Sequence, residues 1–135
     1  MWTKIIAPKV FTHVQAKGRE KLQKKYPDIN FTTSDKASKK PKFPTVYIKK
    51  LQPTPRGDTT EGHSVEGTVS GFQIEVTTNT NQSDADNVAD AIEDIMVNDL
   101  EYRAVGEPFP DNTSDVYRNV SRYQKTIGSD DILKF

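Results

Sequence analysis

The sequence predicts an α+β domain with a mainly antiparallel, twisted sheet and two packed helices. Three observations predict it. Two stretches carry apolar residues at helical spacing, and they lie far apart in the chain. The segments between and after them alternate apolar with polar residues, as half-buried strands do. The strands come in runs rather than alternating with helices, and no internal repeat is found, which is the order of an α+β domain. The expected order is α-β-β-β-α-β-β, within a single domain covering residues 1–135.

The first helix is expected from about Pro8 to Lys25. Pro8 suits a first helical position, where the missing N–H costs nothing. Val10, Val14, Gly18 and Leu22 form one stripe with Phe11 beside it, and Lys21, Lys24 and Lys25 favour the negative C-terminal end. Pro27 prevents continuation. "INFTTS", from Ile29, reads as a short strand rich in β-branched residues, and "DKASKKPKFP" as a Lys-rich mobile loop over about 35–44. "TVYIKKL", Thr45 to Leu51, reads as a second strand whose Val46 and Ile48 point inward; Pro44 limits pairing at its mouth.

"QPTPRGDTTEGH" has two Pro, two Gly and no apolar residue, and reads as a long loop over 52–63. A third strand is expected from Ser64 to Thr78. Val65 and Val69 are odd-numbered, whereas Phe72, Ile74 and Val76 are even, and a bulge near Gly71 would reconcile the two phases. The second helix is expected to start at Ser83 as N-cap with Asp86 in capping-box spacing. Val88, Ala89, Ile92, Ile95 and Met96 should face the sheet, under which Phe72, Ile74 and Val76 would lie. "EYRAV" then reads as a strand and "GEPFPDN" as a turn. Val116 to Ile127 reads as a long final strand, with Val116 and Val120 on one face and Tyr117 and Tyr123 on the other. Both faces are half apolar, so the second is also expected to be covered. A short tail, 128–135, follows.

Composition narrows the function. Hydrophobic residues make up 33% of the chain, thin for a soluble domain. Long solvated loops or burial against neighbouring copies would each account for this. Without cysteine, disulfides and thiolate zinc sites are excluded. No apolar run approaches the ~18 residues of a membrane span, and the start of the chain lacks the pattern of a signal peptide. The expectation is a soluble protein made in a cytoplasm, with no membrane partner.

A net charge of zero hides an asymmetry. Residues 1–50 carry twelve Lys and one Arg against three acids; residues 51–135 carry two Lys and four Arg against sixteen. The poles could neutralise one another inside one subunit, or meet head to tail between copies. Lys21 and Lys24 facing Asp90 and Asp94 are the candidate inter-subunit pairs.

Chemistry finds little footing. His13 and His63 stand alone, without metal-ligand spacing. "DADNVAD" lacks the glycine and the bidentate Glu of a calcium loop and falls within helical periodicity. Asp86, Asp90, Glu93 and Asp94 share a helix face and could hold a divalent ion as in nucleases, but a solvated acidic face is the commoner meaning. No phosphate cradle or nucleophile elbow is present. No catalytic, metal or cofactor-binding residue is assigned, and no enzymatic activity is expected. Lys36, Lys39, Lys40 and Lys42 could touch nucleic-acid phosphates nonspecifically, or simply be solvated. Arg56, Asp58 and Glu61 on the long loop are candidates for an arm that lies on a neighbour.

Four phrases together point to a family: "KYPDINFTTSDK", "PKFPTVYIKKL", "GTVSGFQIEVTTNTNQSDADNVADAI" and "EPFPDNTSDVYRNVSRYQKTIGSDDILKF". In order and spacing they resemble the tail terminator (tail completion) proteins of tailed bacteriophages, of the kind found in phages of Gram-positive hosts. The likeness runs from about Tyr26 to the end. It implies a small α+β subunit without cofactor or enzymatic activity, forming a homohexameric ring in the virion at the tail–neck junction. Such a ring caps the tail tube protein, ends polymerisation and meets the neck or head-completion protein, with double-stranded DNA passing through. The Lys36–Lys42 segment would then face the DNA channel or an acidic patch next door, and the Arg56, Asp58 and Glu61 arm a neighbour or the tube. The start "MWTKIIAP" and the acidity of the second helix depart from the pattern. Alternatives are another neck component, such as a stopper or adaptor, or a nucleic-acid-binding or metal-dependent nuclease module.

Overall fold

The computed structural model describes residues 5–33, 42–51, 54–56, 67–112 and 116–128. Two helices lie on one face of a mixed, mostly antiparallel sheet. The elements are α1 (Ile6–Leu22), β1 (Asn30–Thr32), β2 (Thr45–Lys50), β3 (Thr54–Arg56), β4 (Gly67–Thr78), α2 (Gln82–Asp94), β5 (Arg103–Ala104), β6 (Phe109–Pro110) and β7 (Tyr117–Gly128). The α+β class and the two packed helices therefore stand, with more strands than expected.

The sheet is ordered β1-β2-β4-β7-β5, with β3 also pairing β4 and β6 also pairing β7. Only β1 and β2 run parallel. The twelve-residue strands β4 and β7 form its spine, paired without interruption from Gly67↔Gly128 to Thr78↔Tyr117. The expected bulge at Gly71 is therefore absent. From Ser70 to Thr78 the even residues are buried and the odd ones half-buried, so Val69 simply faces the other side. The irregularity sits in the neighbouring lane instead. There β2 ends at Lys50↔Phe72 and β3 resumes at Thr54↔Val69, so the chain beside β4 is one residue longer than β4 itself.

Two stretches expected as loops contain strands. β3 lies within the 52–63 stretch, whose other residues fall outside those described, and β6 lies within "GEPFPDN". Both contain proline, Pro55 and Pro110, which short outer strands tolerate because one side needs no ladder hydrogen bond. The strand expected over Glu101–Val105 shrinks to Arg103–Ala104. Of the 35–44 loop, Lys42, Phe43 and Pro44 are described; the remainder lies outside the described residues, as does the tail beyond Gly128.

The stripe on α1 is as expected: Val10, Val14, Gly18 and Leu22 are buried, together with Ile6. The helix starts two residues before Pro8, which is harmless because N–H groups of the first turn have no intrahelical acceptor. It stops at Leu22, leaving Lys24 and Lys25 beyond its end.

The second helix starts earlier too. Asn81, not Ser83, is the N-cap: its extended backbone (φ −166°, ψ 169°) aims the side-chain carbonyl at Asp84 N–H, 2.7 Å away. Asn is as good a cap as Ser, and the cap that wins aligns Ala85, Val88, Ala89 and Ile92 with the sheet. Asn81→Ala should cost about 1 kcal/mol in urea denaturation and Ser83→Ala about a tenth of that; the reverse ranking would restore Ser83 as the cap.

Beyond Asp94 the helix widens into a π-helical segment, Ile95–Asp99, and Glu101 at φ 60° turns the chain out. Tyr102 N–H closes this end on Met96 O at 2.8 Å. The widened turn keeps Ile95 and Met96 fully buried.

One core cluster lies between helices and sheet. Phe72, Ile74 and Val76 join Val88, Ile92 and Ile95 there, and every strand residue in the cluster belongs to the same sheet face, including Phe31, Val46, Ile48, Tyr123 and Ile127. Tyr123 is buried as part of it, whereas Tyr117, on the same face at the strand end, is 37% exposed.

Candidate assembly surfaces

Two contacts join the basic and acidic parts inside one chain. Packing of α1 on α2 and on the π segment sets Lys21 Nζ against an Asp94 carboxylate oxygen, and His13 Nε2 3.1 Å from Asp99 Oδ2. The hydrogen bond from Lys21 pulls the Asp94 carboxyl below its ordinary value, with Asn98 Nδ2 helping, and the same contact raises the Lys21 ammonium. Of the four candidate inter-subunit residues, Lys21 and Asp94 are thus committed to each other. Lys24 and Asp90 are exposed and do not pair with one another.

This pair is exposed, so its weight in stability is small. By linkage, the Asp94 share is present above the unfolded carboxylate range and fades as pH falls below it. The Lys21 share is present below pH 10.5 and fades above. Lys21→Glu should shift the urea midpoint slightly, and adding Asp94→Lys should restore it in dilute monomer. Rescue seen only in assembled protein would place the pair between copies.

Other acids of α2 are engaged too. Asp84 accepts from Tyr26 Oη at 3.2 Å and from Thr80 Oγ1; Asp86 accepts from Gln82 Nε2 and Asn119 Nδ2, each at 2.9 Å. Among the described residues no three His, Asp or Glu side chains are grouped to hold a metal ion. No helix there is long and apolar enough to cross a membrane.

The opposite face of the sheet is different. No described helix packs on it. Register places Tyr47, Glu75, Val120 and Phe109 in one row across four strands, with Thr45, Thr77 and Arg118 in the next. Arg118 Nε lies 3.8 Å from Glu75 and its Nη1 3.6 Å from Asp111, while Arg122 Nε donates to Gln73 Oε1 at 2.9 Å. Val120 is buried here, as the half-apolar second face of the last strand implied, but Phe109 is 43% exposed and Val105 equally so. A polar, half-buried face with aromatic and aliphatic residues toward one edge suits a protein contact.

Of the remaining sequence candidates, Lys42 is exposed and Arg56 sits on β3 opposite Gly67. Lys36, Lys39, Lys40, Asp58 and Glu61 lie outside the described residues. Sequence reasoning missed the row across the open face. Phe109 lies in the segment expected as a turn, and only the register assembles the row. No family model matches the chain, and no curated protein matches it.

Proposed function

We propose that this chain is a structural virion subunit, a tail terminator whose copies form a hexameric ring on the tail tube. The ring stops tube growth and joins the tail to the neck, with DNA passing nonspecifically through its centre. The collinear phrases from Tyr26 onward support the family. The observation that carries the reading is the distribution of surfaces. Lys21 of the first helix pairs with Asp94 of the second within one chain, and the sheet face without a described helix is left for neighbours, tube or neck protein. Such a subunit acts by shape and docking and needs no cofactor.

Particles assembled without the protein provide the test. Overlong, headless tails in electron micrographs are expected; tails of normal length that fail to join heads would indicate a neck stopper or adaptor instead. Mg²⁺-dependent DNA cleavage lost in Asp90→Ala would favour the nuclease reading and overturn the structural one.

A further inference from the structure

The open face of the sheet has two unlike halves. Around the row Tyr47, Glu75, Val120 and Phe109, charge is answered locally, because Arg118 lies between Glu75 and Asp111. Toward the C-terminal end of β2 the face changes. Lys49, Gln73 and Arg122 share the next row, and Arg103 stands opposite Gln124 one row further on, on the outer strand β5. Lys49, Arg122 and Arg103 are all exposed. None of them makes an ion pair among the described residues, and neither row carries an acid. Arg122 Nε donates to Gln73 Oε1 at 2.9 Å, which holds the guanidinium on the sheet and leaves its terminal nitrogens for a ligand. At ~4.8 Å per strand and ~3.4 Å per residue, the three cations are spread over about 16 Å of sheet.

We propose that this half of the face binds double-stranded DNA through its phosphates, without reading sequence. The inference rests on the ring reading for its setting, a duplex passing through the assembly, and names the surface that meets it. The binding itself needs only one subunit.

Charge and spacing separate DNA from the other occupants. The sheet face of a second copy would set the same cations against each other, which disfavours a symmetric contact. The acidic helix of a second copy has little charge to spare. Asp84, Asp86 and Asp94 are already bonded within the chain, which leaves Asp90 and Glu93. Those two stand one helical turn apart, ~5–6 Å, too close together to answer all three cations. A duplex carries one charge per ~1.7 Å of its axis and so supplies phosphates along the whole spread. Phe109 belongs to the other half of the face and Tyr47 is half-buried, so the cationic half lacks an aromatic platform for a single strand. No described helix projects from this face to enter a major groove, so contact stops at the backbone.

Anisotropy of a labelled duplex of mixed sequence, titrated with the full-length protein at several salt concentrations, tests the proposal. Lys49→Gln/Arg103→Gln/Arg122→Gln should weaken binding about tenfold or more and flatten the slope of log affinity against log salt by about 2–3. Lys9→Gln/Lys17→Gln/Lys24→Gln removes as much charge from exposed positions on α1 and just past it, and should weaken binding less than about threefold. Arg103→Lys with Arg122→Lys should keep the wild-type slope, because a phosphate contact needs the charge rather than the fork.

Equal losses in the two triple variants, or wild-type protein that shows no salt-dependent binding, overturn the inference and leave the ring reading to the tail-length test. So does tighter binding of a single strand than of the duplex. A first triple variant that keeps its DNA affinity and loses self-association assigns the face to a second copy and likewise overturns it. Normal tails in particles lacking the protein overturn the ring reading alone, since the binding is that of the free subunit.

Discussion

Between pH 10 and 12 the folded protein is expected to lose about 5 kcal/mol of stability, a large part of the ~5–15 kcal/mol that holds a typical domain. Two tyrosines cause it. Tyr102 and Tyr123 are 2% and 1% exposed, and burial pushes each phenol from 10.0 up to about 12. Hydrogen bonding to Ser70 and to Ser121 offsets this only in part, and Glu93 and Asp90 add to the rise at Tyr123. Tyr102 also stands edge-on to Phe72, centroids 5.7 Å apart, an apolar neighbour that does not stabilise a phenolate.

The sign follows from linkage. A phenol whose folded value exceeds its unfolded one stabilises fully below pH 10 and loses that contribution as pH rises toward 12. Each accounts for about 2–3 kcal/mol at ~1.4 kcal/mol per unit. Urea melts across this range, with tyrosinate absorbance followed in parallel, check it. Tyr102→Phe should cost about 1 kcal/mol at neutral pH, because the Ser70 hydroxyl loses its partner, and should flatten the alkaline fall by about half. Stability that holds level to pH 12, with both rings ionising in the folded state, would refute the account.

Gly18→Leu is expected to destabilise by about 3–4 kcal/mol, at or beyond the upper end of overpacking effects. A β-carbon at Gly18 would lie 2.5 Å from Phe31 Cζ and 2.9 Å from Phe31 Cε1, with Ile92 Cδ1 at 3.5 Å. The absence of a side chain thus lets α1 approach both β1 and α2. Phe31 can yield little: it is 6% exposed, and the Arg19 guanidinium lies over its ring, 5.5 Å from the centroid.

Gly18→Ala sets opposing effects against each other. It gains up to about 1 kcal/mol of helix propensity and must displace the ring, so a net loss of roughly 1 kcal/mol is expected. Shortening the obstacle should reverse the order. In a Phe31→Leu background, Gly18→Ala should be neutral or stabilising, a coupling that a double-mutant cycle in urea measures directly. Equal effects of Gly18→Ala in both backgrounds would show that the Phe31 ring is not what the helix needs to clear.

Much of the scaffold was legible in the sequence because periodicity reports burial one element at a time. The stripe Val10, Val14, Gly18 and Leu22 and the set Val88, Ala89, Ile92, Ile95 and Met96 are buried as their spacing implied. So are Val46, Ile48, Phe72, Ile74 and Val76. The errors share a cause. Asn81 outcompetes Ser83 because the cap is chosen by which turn lets α2 lie on β4 and β7. Both residues can cap, so local preference alone does not separate them. Pro55 and Pro110 marked turns, yet each sits in a strand at a position where a partner on one side suffices.

Charge shows the same division. Counting residues revealed two poles of opposite sign and left open whether they meet within a chain or between chains. Only the packing of α1 on α2 brings Lys21 to Asp94 and His13 to Asp99, across 73 and 86 residues of sequence.

By itself, then, the sequence determined the α+β class, the inward residues of each major element, the opposed charges and the lack of thiol chemistry. Each of these is a property of local pattern or of composition. Tertiary structure alone decided the register of β4 against β7, the row Tyr47–Glu75–Val120–Phe109, the partner of Lys21 and the grouping of Lys49, Arg122 and Arg103 on the open face. All four depend on residues distant in the chain being set side by side. Their placement follows from how whole faces pack, and no stretch of a few residues encodes it.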